Sequence, residues 1–351
     1  MHEGNAFHRM ADIDGIRDIN VTRWLSRELP NSQSPYEFEL IAGGHSNLTY
    51  QVRDAAGKSW VLRRPPLGKL LPTAHDMSRE FRVLSAVSHT NVPVPSVVAL
   101  CTDSSVNDAP FYVMEMVDGA VVRDEATAQD LFRPDERRAL GFAVADTLAD
   151  IHAINVANVG LADLAKPNDY VNRQLKRWKR QIAESKTRDL PALDRVGEKL
   201  ETRVPPQSST GLVHGDFRLD NCIVGLDASI KAVLDWELCT LGDPLADVGQ
   251  LMVYWTAPGE TLRVTADAPT AVEGFPTRDE MLARYEEKRG VSLPDIDFYI
   301  AFSYWRLACI TEGVFARYQH GDMGDRVEEG AVFEQRVLDL VAAADAITSS
   351  W

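Results

Sequence analysis

Residues 211–237 read GLVHGDFRLDNCIVGLDASIKAVLDWE, and the fold follows from how they pair. Two short apolar, β-branched runs, Cys222-Ile223-Val224 and Ala232-Val233-Leu234, flank the turn-rich Gly225-Leu226-Asp227-Ala228-Ser229. That composition predicts a β-hairpin. Its polar residues gather at the open end: His214-Gly215-Asp216 and Asn221 before the first strand, Asp235 after the second. The start of the outgoing strand and the end of the returning one lie side by side. Asn221 and Asp235 are therefore expected to be neighbours, with the loop carrying Asp216 arching over them. The alternative is a surface turn whose Asp and Asn side chains only cap backbone groups.

Two carboxylates and an amide in one place suit metal-assisted phosphoryl transfer. Mg²⁺ takes oxygen ligands, one or two from carboxylates and the rest from phosphates and water. Asn221 and Asp235 would supply the protein oxygens. Asp216, kept off the metal, would orient an attacking hydroxyl and accept its proton. The stretch resembles the catalytic loop of the aminoglycoside phosphotransferase family, small-molecule relatives of protein kinases, with H-G-D-x-x-x-x-N at 214–221 and an aspartate at 235. Protein kinases carry the same parts as H-R-D-x-x-x-x-N and D-F-G; here the latter place reads Asp235-Trp236-Glu237. Four fixed residues at this spacing arise by chance in such a chain roughly twice in a thousand.

With 351 residues the chain has room for two domains or one large two-lobed unit, and its 45% hydrophobic content can build a full core. The net charge of −15 argues against a nucleic-acid partner. It is compatible with a cationic substrate. Cys101, Cys222, Cys239 and Cys309 have no C-x-x-C spacing and sit in apolar surroundings, as buried free thiols of a reducing compartment do. No apolar run approaches the ~18 residues of a membrane span, and Met1-His2-Glu3-Gly4 lacks a signal-peptide pattern. A cytoplasmic protein without a membrane partner is expected.

A short amphipathic helix is expected over Asn20–Leu29. The runs 38–41 and 48–52 read as strands joined by Ala42-Gly43-Gly44-His45-Ser46-Asn47, a hairpin tip whose glycines permit close backbone approach to a phosphate. The strand 59–63 ends at Arg63. A helix over Asp76–Ser88 buries Met77, Leu84 and Val87, and Glu80 stands on that apolar stripe, where a carboxylate needs a cation opposite. Strands at 97–101 and 111–116, separated by a polar turn, complete a five-stranded first lobe. The resemblance implies that Gly44, Ser46 and Asn47 lie at the nucleotide phosphates. It places Arg63 where a lysine contacts the α and β phosphates, paired with Glu80, and assigns the Glu115 carbonyl and the Val117 amide to adenine. Arginine at 63 is bulkier and bidentate, a departure from that pattern.

The remainder is expected to be mainly helical. Helices are predicted over Asp135–Ile154, 170–188, Arg278–Arg289, Pro294–Tyr318 and Val332–Ile347, with a long surface loop at 256–276 as a lid. The basic run Arg173 to Arg180 reads as a solvated face and His152 as structural. Asp247 is either a helix-start aspartate or, by resemblance, a support beneath the catalytic loop. Arg306 and Glu312, charged among apolar neighbours, are candidates for substrate contact. The resemblance implies an α+β, two-lobed protein-kinase-like fold, with a five-stranded antiparallel sheet in a nucleotide-binding lobe over 1–117 and the catalytic loop in a mainly helical lobe over 118–351. It further implies ATP, or GTP, with Mg²⁺ in the cleft and a small-molecule hydroxyl acceptor. The wording of 43–50 and 61–66 resembles the acyl-CoA-dehydrogenase-associated branch, pointing to a hydroxylated acyl acceptor beside the aminoglycoside alternative. A catalytically silent nucleotide-binding or scaffolding module is the rival class.

Overall fold

The computed structural model describes residues 13–42, 47–68, 75–207, 209–265, 267–320 and 327–351. The chain divides into two compact units, Met1–Ser88 with Pro95–Val117, and His89–Val94 with Asp118–Trp351. Residues 89–94 group with the second unit, where the Pro93 carbonyl accepts a hydrogen bond from Val233 N at 2.8 Å.

The first unit holds α1 (Asp18–Glu28), β1 (Tyr36–Ala42), β2 (Leu48–Asp54), β3 (Ser59–Arg64), α2 (Met77–Val87), β4 (Val97–Cys101), α3 (Ser104–Asn107) and β5 (Phe111–Glu115). The five strands form one sheet in the order β1-β2-β3-β5-β4, every neighbour antiparallel. One face packs on α1, where Val21, Trp24 and Leu25 meet Tyr50, Val52, Trp60, Leu62 and Phe111. The Trp24 and Phe111 rings meet edge to face at 4.8 Å. Asp76 starts α2 by accepting from Arg79 N at 3.1 Å, and Met77, Glu80, Val83, Leu84 and Val87 recur on its buried side. The expected polar turn at 103–108 is instead the helical turn α3, capped by Asp103 and closed by Asp108 in the left-handed region.

The second unit holds α4 (Glu125–Leu131), α5 (Pro134–Ala153), α6 (Tyr170–Ser185), α7 (Pro191–Thr202), β6 (Gly211–Val213), β7 (Cys222–Val224), β8 (Ile230–Val233), β9 (Thr240–Gly242), α8 (Leu245–Tyr254), α9 (Arg278–Arg289), α10 (Ile296–Gln319) and α11 (Val327–Thr348). β7 and β8 form the expected hairpin, with Cys222 opposite Val233. β6 pairs antiparallel with β9, so the loop 214–221 is framed by two small sheets. The core joins α6, α7, α8, α10 and α11 through residues such as Leu175, Val196, Phe302, Trp305 and Leu340. The four cysteines are buried and not disulfide-bonded. Among the described residues no helix is long and apolar enough to cross a membrane.

Residues 256–276 form the expected loop and are exposed at Pro258, Gly259, Thr261, Asp267 and Glu273, but much of the segment is packed. Thr256, Val264, Ala268, Thr270, Ala271 and Val272 are buried, Thr270 Oγ1 donates to the Thr256 carbonyl at 2.9 Å, and Trp255 Nε1 reaches the Pro276 carbonyl at 2.8 Å. Small Ala and Thr side chains pack tightly here, which a composition suggesting an exposed loop conceals.

The helices α8 and α10 approach closely at Gly249. A Cβ built there would lie 2.5 Å from the Tyr299 carbonyl carbon and oxygen, so a methyl group forces the backbones apart. Gly249→Ala is expected to cost roughly 1–3 kcal/mol of stability through overpacking. Urea unfolding measures this, and an unchanged midpoint would show that the helices can separate freely.

Candidate active site

β6 delivers the chain to His214-Gly215-Asp216. Gly215 takes φ +87°, and a side chain there would come within 2.9 Å of the Leu238 carbonyl oxygen, so the turn requires glycine. The buried Asp247 on α8 holds this turn from beneath: Oδ2 accepts from His214 N at 2.6 Å and Oδ1 from Gly215 N at 2.9 Å. His152, at the end of α5, donates from Nε2 to Asp247 Oδ2 at 3.3 Å, and its Nδ1 lies 2.8 Å from the Tyr285 hydroxyl. Burial alone pushes the Asp247 carboxyl up, but the His152 and Gly215 N–H hydrogen bonds hold it below its ordinary value. Of the two roles open to Asp247 from sequence, the structure selects support of the loop.

The His214 ring is fully buried against Trp236 and Phe217. Burial pushes its pKa down, which favours the neutral ring. Nδ1 accepts from Asp216 N at 3.3 Å while Nε2 donates to the Leu234 carbonyl at 3.0 Å. These two bonds fix the tautomer. They also tie the front of the loop to the residue preceding Asp235.

Asp216, Asn221 and Asp235 converge as expected. Asn221 Nδ2 donates to the Asp216 carbonyl at 2.8 Å and to its Oδ2 at 3.1 Å. Leu234 N donates to the Asn221 carbonyl at 2.8 Å, bringing the two ends of the hairpin together, and Asp235 follows with φ +64°. Burial pushes the Asp216 carboxyl up; Arg218 and His214 pull it down, and the Asp235 carboxylate pushes it up again. A raised carboxylate is a better proton acceptor. Arg218 Nε lies 3.4 Å from Asp216 Oδ2, its Nη1 pairs with Asp220 at 2.6 Å, and its guanidinium stacks 5.1 Å from the Tyr254 ring centroid.

In the first unit Arg63 Nε meets Glu80 Oε2 at 3.2 Å, with Glu80 2% exposed, the pairing expected of a carboxylate on an apolar stripe. Asn47 is buried, its Oδ1 2.9 Å from His75 Nδ1. Glu115 closes β5 with its N bonded to the Ser96 carbonyl, and Val117 is the last residue of the unit. Gly44 and Ser46 lie outside the described residues.

Two charged residues considered as substrate contacts have partners inside the fold, though Arg306 Nε and Glu312 Oε1 are left without a hydrogen bond among the described residues. Glu312 is buried and pairs with Arg188 Nη2 at 3.0 Å. Arg306 is buried against the catalytic loop, donating to the Gly215 carbonyl at 3.4 Å and to Gln250. Buried charges need such partners. Gln250, whose Nε2 donates to Asp216 Oδ1 at 2.9 Å, went unnoticed in the sequence, although it stands one helical turn after Asp247.

The sequence model of the phosphotransferase enzyme family matches residues 37–284. The chain belongs to this family. This phosphotransferase-family chain is 40% identical over 293 residues to mouse acyl-CoA dehydrogenase family member 10, a match covering 82% of the chain and 27% of that longer protein. Among solved structures, a candidate aminoglycoside phosphotransferase from Ralstonia eutropha shares 30% identity at a TM-score of 0.80, with 95% of this chain and 98% of that one covered. Spectinomycin phosphotransferase in complex with ADP and spectinomycin shares the fold at a TM-score of 0.61 and 12% identity, with 94% and 99% covered. The fold is thus kinase-like.

Removing the Asp247 charge tests the clamp. Asp247→Asn is expected to lose roughly 2–4 kcal/mol of stability at pH 7, because two backbone N–H groups lose a shared anionic acceptor. A carboxyl held below its ordinary value contributes stability above its unfolded pKa and loses it as pH falls through the folded one. The deficit of the variant should therefore shrink as pH is lowered through and below the ordinary carboxylate range. Thermal unfolding of both proteins from pH 7 to pH 3 reads this; a constant deficit would count against it.

Proposed function

We propose that this chain transfers the γ-phosphoryl group of ATP, with Mg²⁺, to a hydroxyl of a small molecule. The observation that carries the proposal is the Asp216 carboxylate, held between Asn221 and Gln250 on a turn clamped by Asp247. In the transfer the acceptor oxygen bonds to the γ-phosphorus, the bond from that phosphorus to the β–γ bridging oxygen breaks, ADP leaves, and the hydroxyl proton passes to Asp216. Positioning and charge neutralisation do the work, with no covalent enzyme intermediate.

The residues present suit Mg²⁺. Asn221 spends its NH₂ on Asp216, which leaves its Oδ1 as the atom for a metal, and Asp235 adds a carboxylate at the same end of the hairpin. Among the described residues no cluster of three or more His, Cys, Asp or Glu side chains could hold a metal alone, in keeping with an ion that also takes phosphate oxygens and water. Bound there, Mg²⁺ would neutralise charge on the phosphates. The first unit would supply nucleotide contacts: Gly44, Ser46 and Asn47 near the phosphates, Arg63 steadied by Glu80, and the Glu115 and Val117 backbone at the base. The ADP held by the spectinomycin enzyme favours a purine nucleotide here, ATP or GTP.

For the acceptor we favour a hydroxylated acyl group. Similarity to a segment of an acyl-CoA dehydrogenase family member supports the same class. Arg63 in the lysine position is the feature favouring the second reading, nucleotide binding without transfer.

ADP release with a panel of hydroxylated acyl-CoAs, free hydroxy acids and aminoglycosides, followed by mass spectrometry of the product, separates these. Mg-ATP binding without turnover on any of them would favour the silent module. Asp216→Asn is expected to lower kcat by roughly 10²–10⁴-fold while calorimetry finds Mg-ATP affinity retained. Asp235→Asn, which keeps a residue tolerant of left-handed backbone, should instead remove Mg-dependent ATP binding. Unchanged binding would exclude Asp235 as a metal ligand.

A further inference from the structure

The two carboxylate oxygens of Asp216 are held from different sides. Oδ2 receives Asn221 Nδ2 at 3.1 Å and lies 3.4 Å from Arg218 Nε, both from the catalytic loop itself. Oδ1 receives Gln250 Nε2 at 2.9 Å, from the interior of α8. Gln250 follows Asp247 by three positions, so the two project from one face of the helix a turn apart. Asp247 grips the backbone of the turn, and Gln250 grips the side chain that the turn presents.

A glutamine amide can be turned two ways, and only one of them serves here. Gln250 Oε1 accepts a hydrogen bond from Arg306 Nη2, and the same nitrogen donates to the Gly215 carbonyl at 3.4 Å. A guanidinium has donors only and a carboxylate acceptors only. Gln250 must therefore direct its oxygen at Arg306 and its NH₂ at Asp216, since the flipped amide would place oxygen against carboxylate and NH₂ against guanidinium. Arg306 is itself fixed: it projects from α10, is 8% exposed, and α10 meets α8 across the close approach at Gly249. A donor on a neutral side chain reaches Asp216 Oδ1 with its direction dictated by a buried cation.

We propose that Gln250 is a positioning residue for phosphoryl transfer: polarised by Arg306, it fixes the rotation of the Asp216 carboxylate toward the acceptor hydroxyl. The effect on rate rests on the phosphotransferase activity proposed above; the effect on Asp216 orientation does not. Asn221 alone leaves the carboxylate pinned at one oxygen and free to turn about its Cβ–Cγ bond. The second donor, approaching from a different element, removes that freedom. Leucine at 250 fills nearly the same volume but donates nothing. Glutamate at 250 keeps an acceptor for Arg306 yet offers Asp216 no N–H and adds a like charge.

Gln250→Leu and Gln250→Glu are compared with the wild-type chain for turnover, thermal stability and crystal structure. Both variants are expected to lose about 10–100-fold in kcat, the scale of an ångström misplacement, with KM for Mg-ATP and for the acceptor within about twofold. Their crystal structures should show the Asp216 carboxylate rotated from its wild-type plane. A folded Gln250→Leu protein with kcat within about threefold of wild type, or with Asp216 unmoved, overturns the proposal. So does a fall in melting temperature with kcat per folded molecule unchanged, the signature of a packing role. If Gln250→Leu does not fold, Gln250→Glu, which retains a partner for Arg306, decides by the same readings. If the wild-type chain transfers no phosphoryl group to any acceptor, the proposed function fails separately, and the orientation of Asp216 in the variant crystals alone decides: rotated supports the positioning role, unmoved overturns it.

Discussion

The turn at His214-Gly215-Asp216 depends on one carboxylate accepting two consecutive backbone N–H groups. Asp247 takes those of His214 and Gly215, and the turn can present Asp216 only while both are held. The positive φ of Gly215 turns the chain so that both N–H groups face the carboxylate. The acceptor is anionic and buried, so each bond is stronger than its neutral counterpart and expensive to lose. His152 adds a third bond, to the Oδ2 that also accepts from His214 N.

From this clamp the rest of the site is assembled in layers. α8 carries Asp247, Gln250 and Tyr254 along one side. These meet in turn the loop backbone, the Asp216 carboxylate and the guanidinium of Arg218. The hairpin brings Asn221 and the chain entering Asp235 together from the opposite direction through the Asn221–Leu234 backbone bond. In the first unit the same economy appears on a smaller scale, where one buried glutamate on α2 steadies one arginine at the end of β3. Asp216 and Arg63 are each held by a side chain from another element.

What sequence could reveal follows from this construction. Asp216, Asn221 and Asp235 were legible because chemistry fixes their types and a hairpin fixes their spacing. Glu80 was legible because a charge on an apolar stripe needs a partner, and the family resemblance named Arg63 as that partner. The five strands and most helices followed from periodicity. Gln250 was hidden: an uncharged amide in the apolar α8 breaks no pattern strongly enough to be noticed, and its partner Arg306 is 56 residues away. Arg306 and Glu312 were noticed as misplaced charges, but sequence does not say whether a buried charge faces a ligand or another protein group. The packing within 256–276 was not foreseen because Ala, Thr and Pro suit a packed loop as well as an exposed one. The pairing of β6 with β9 spans three residues on each strand, too few for a periodic signal.

The motif's histidine has a practical consequence for anyone probing this protein. Both of its ring nitrogens are consumed inside the fold, one by the amide of Asp216 and the other by the carbonyl of Leu234. It acts as a spacer of fixed length between two chain segments and has no nitrogen left over for proton traffic. Reagents that acylate imidazole should find it shielded, and any inactivation they cause would report damage elsewhere or collapse of the turn. A tripeptide that looks like acid–base machinery thus has a single chemically available member, the aspartate, and the imidazole beside it is masonry.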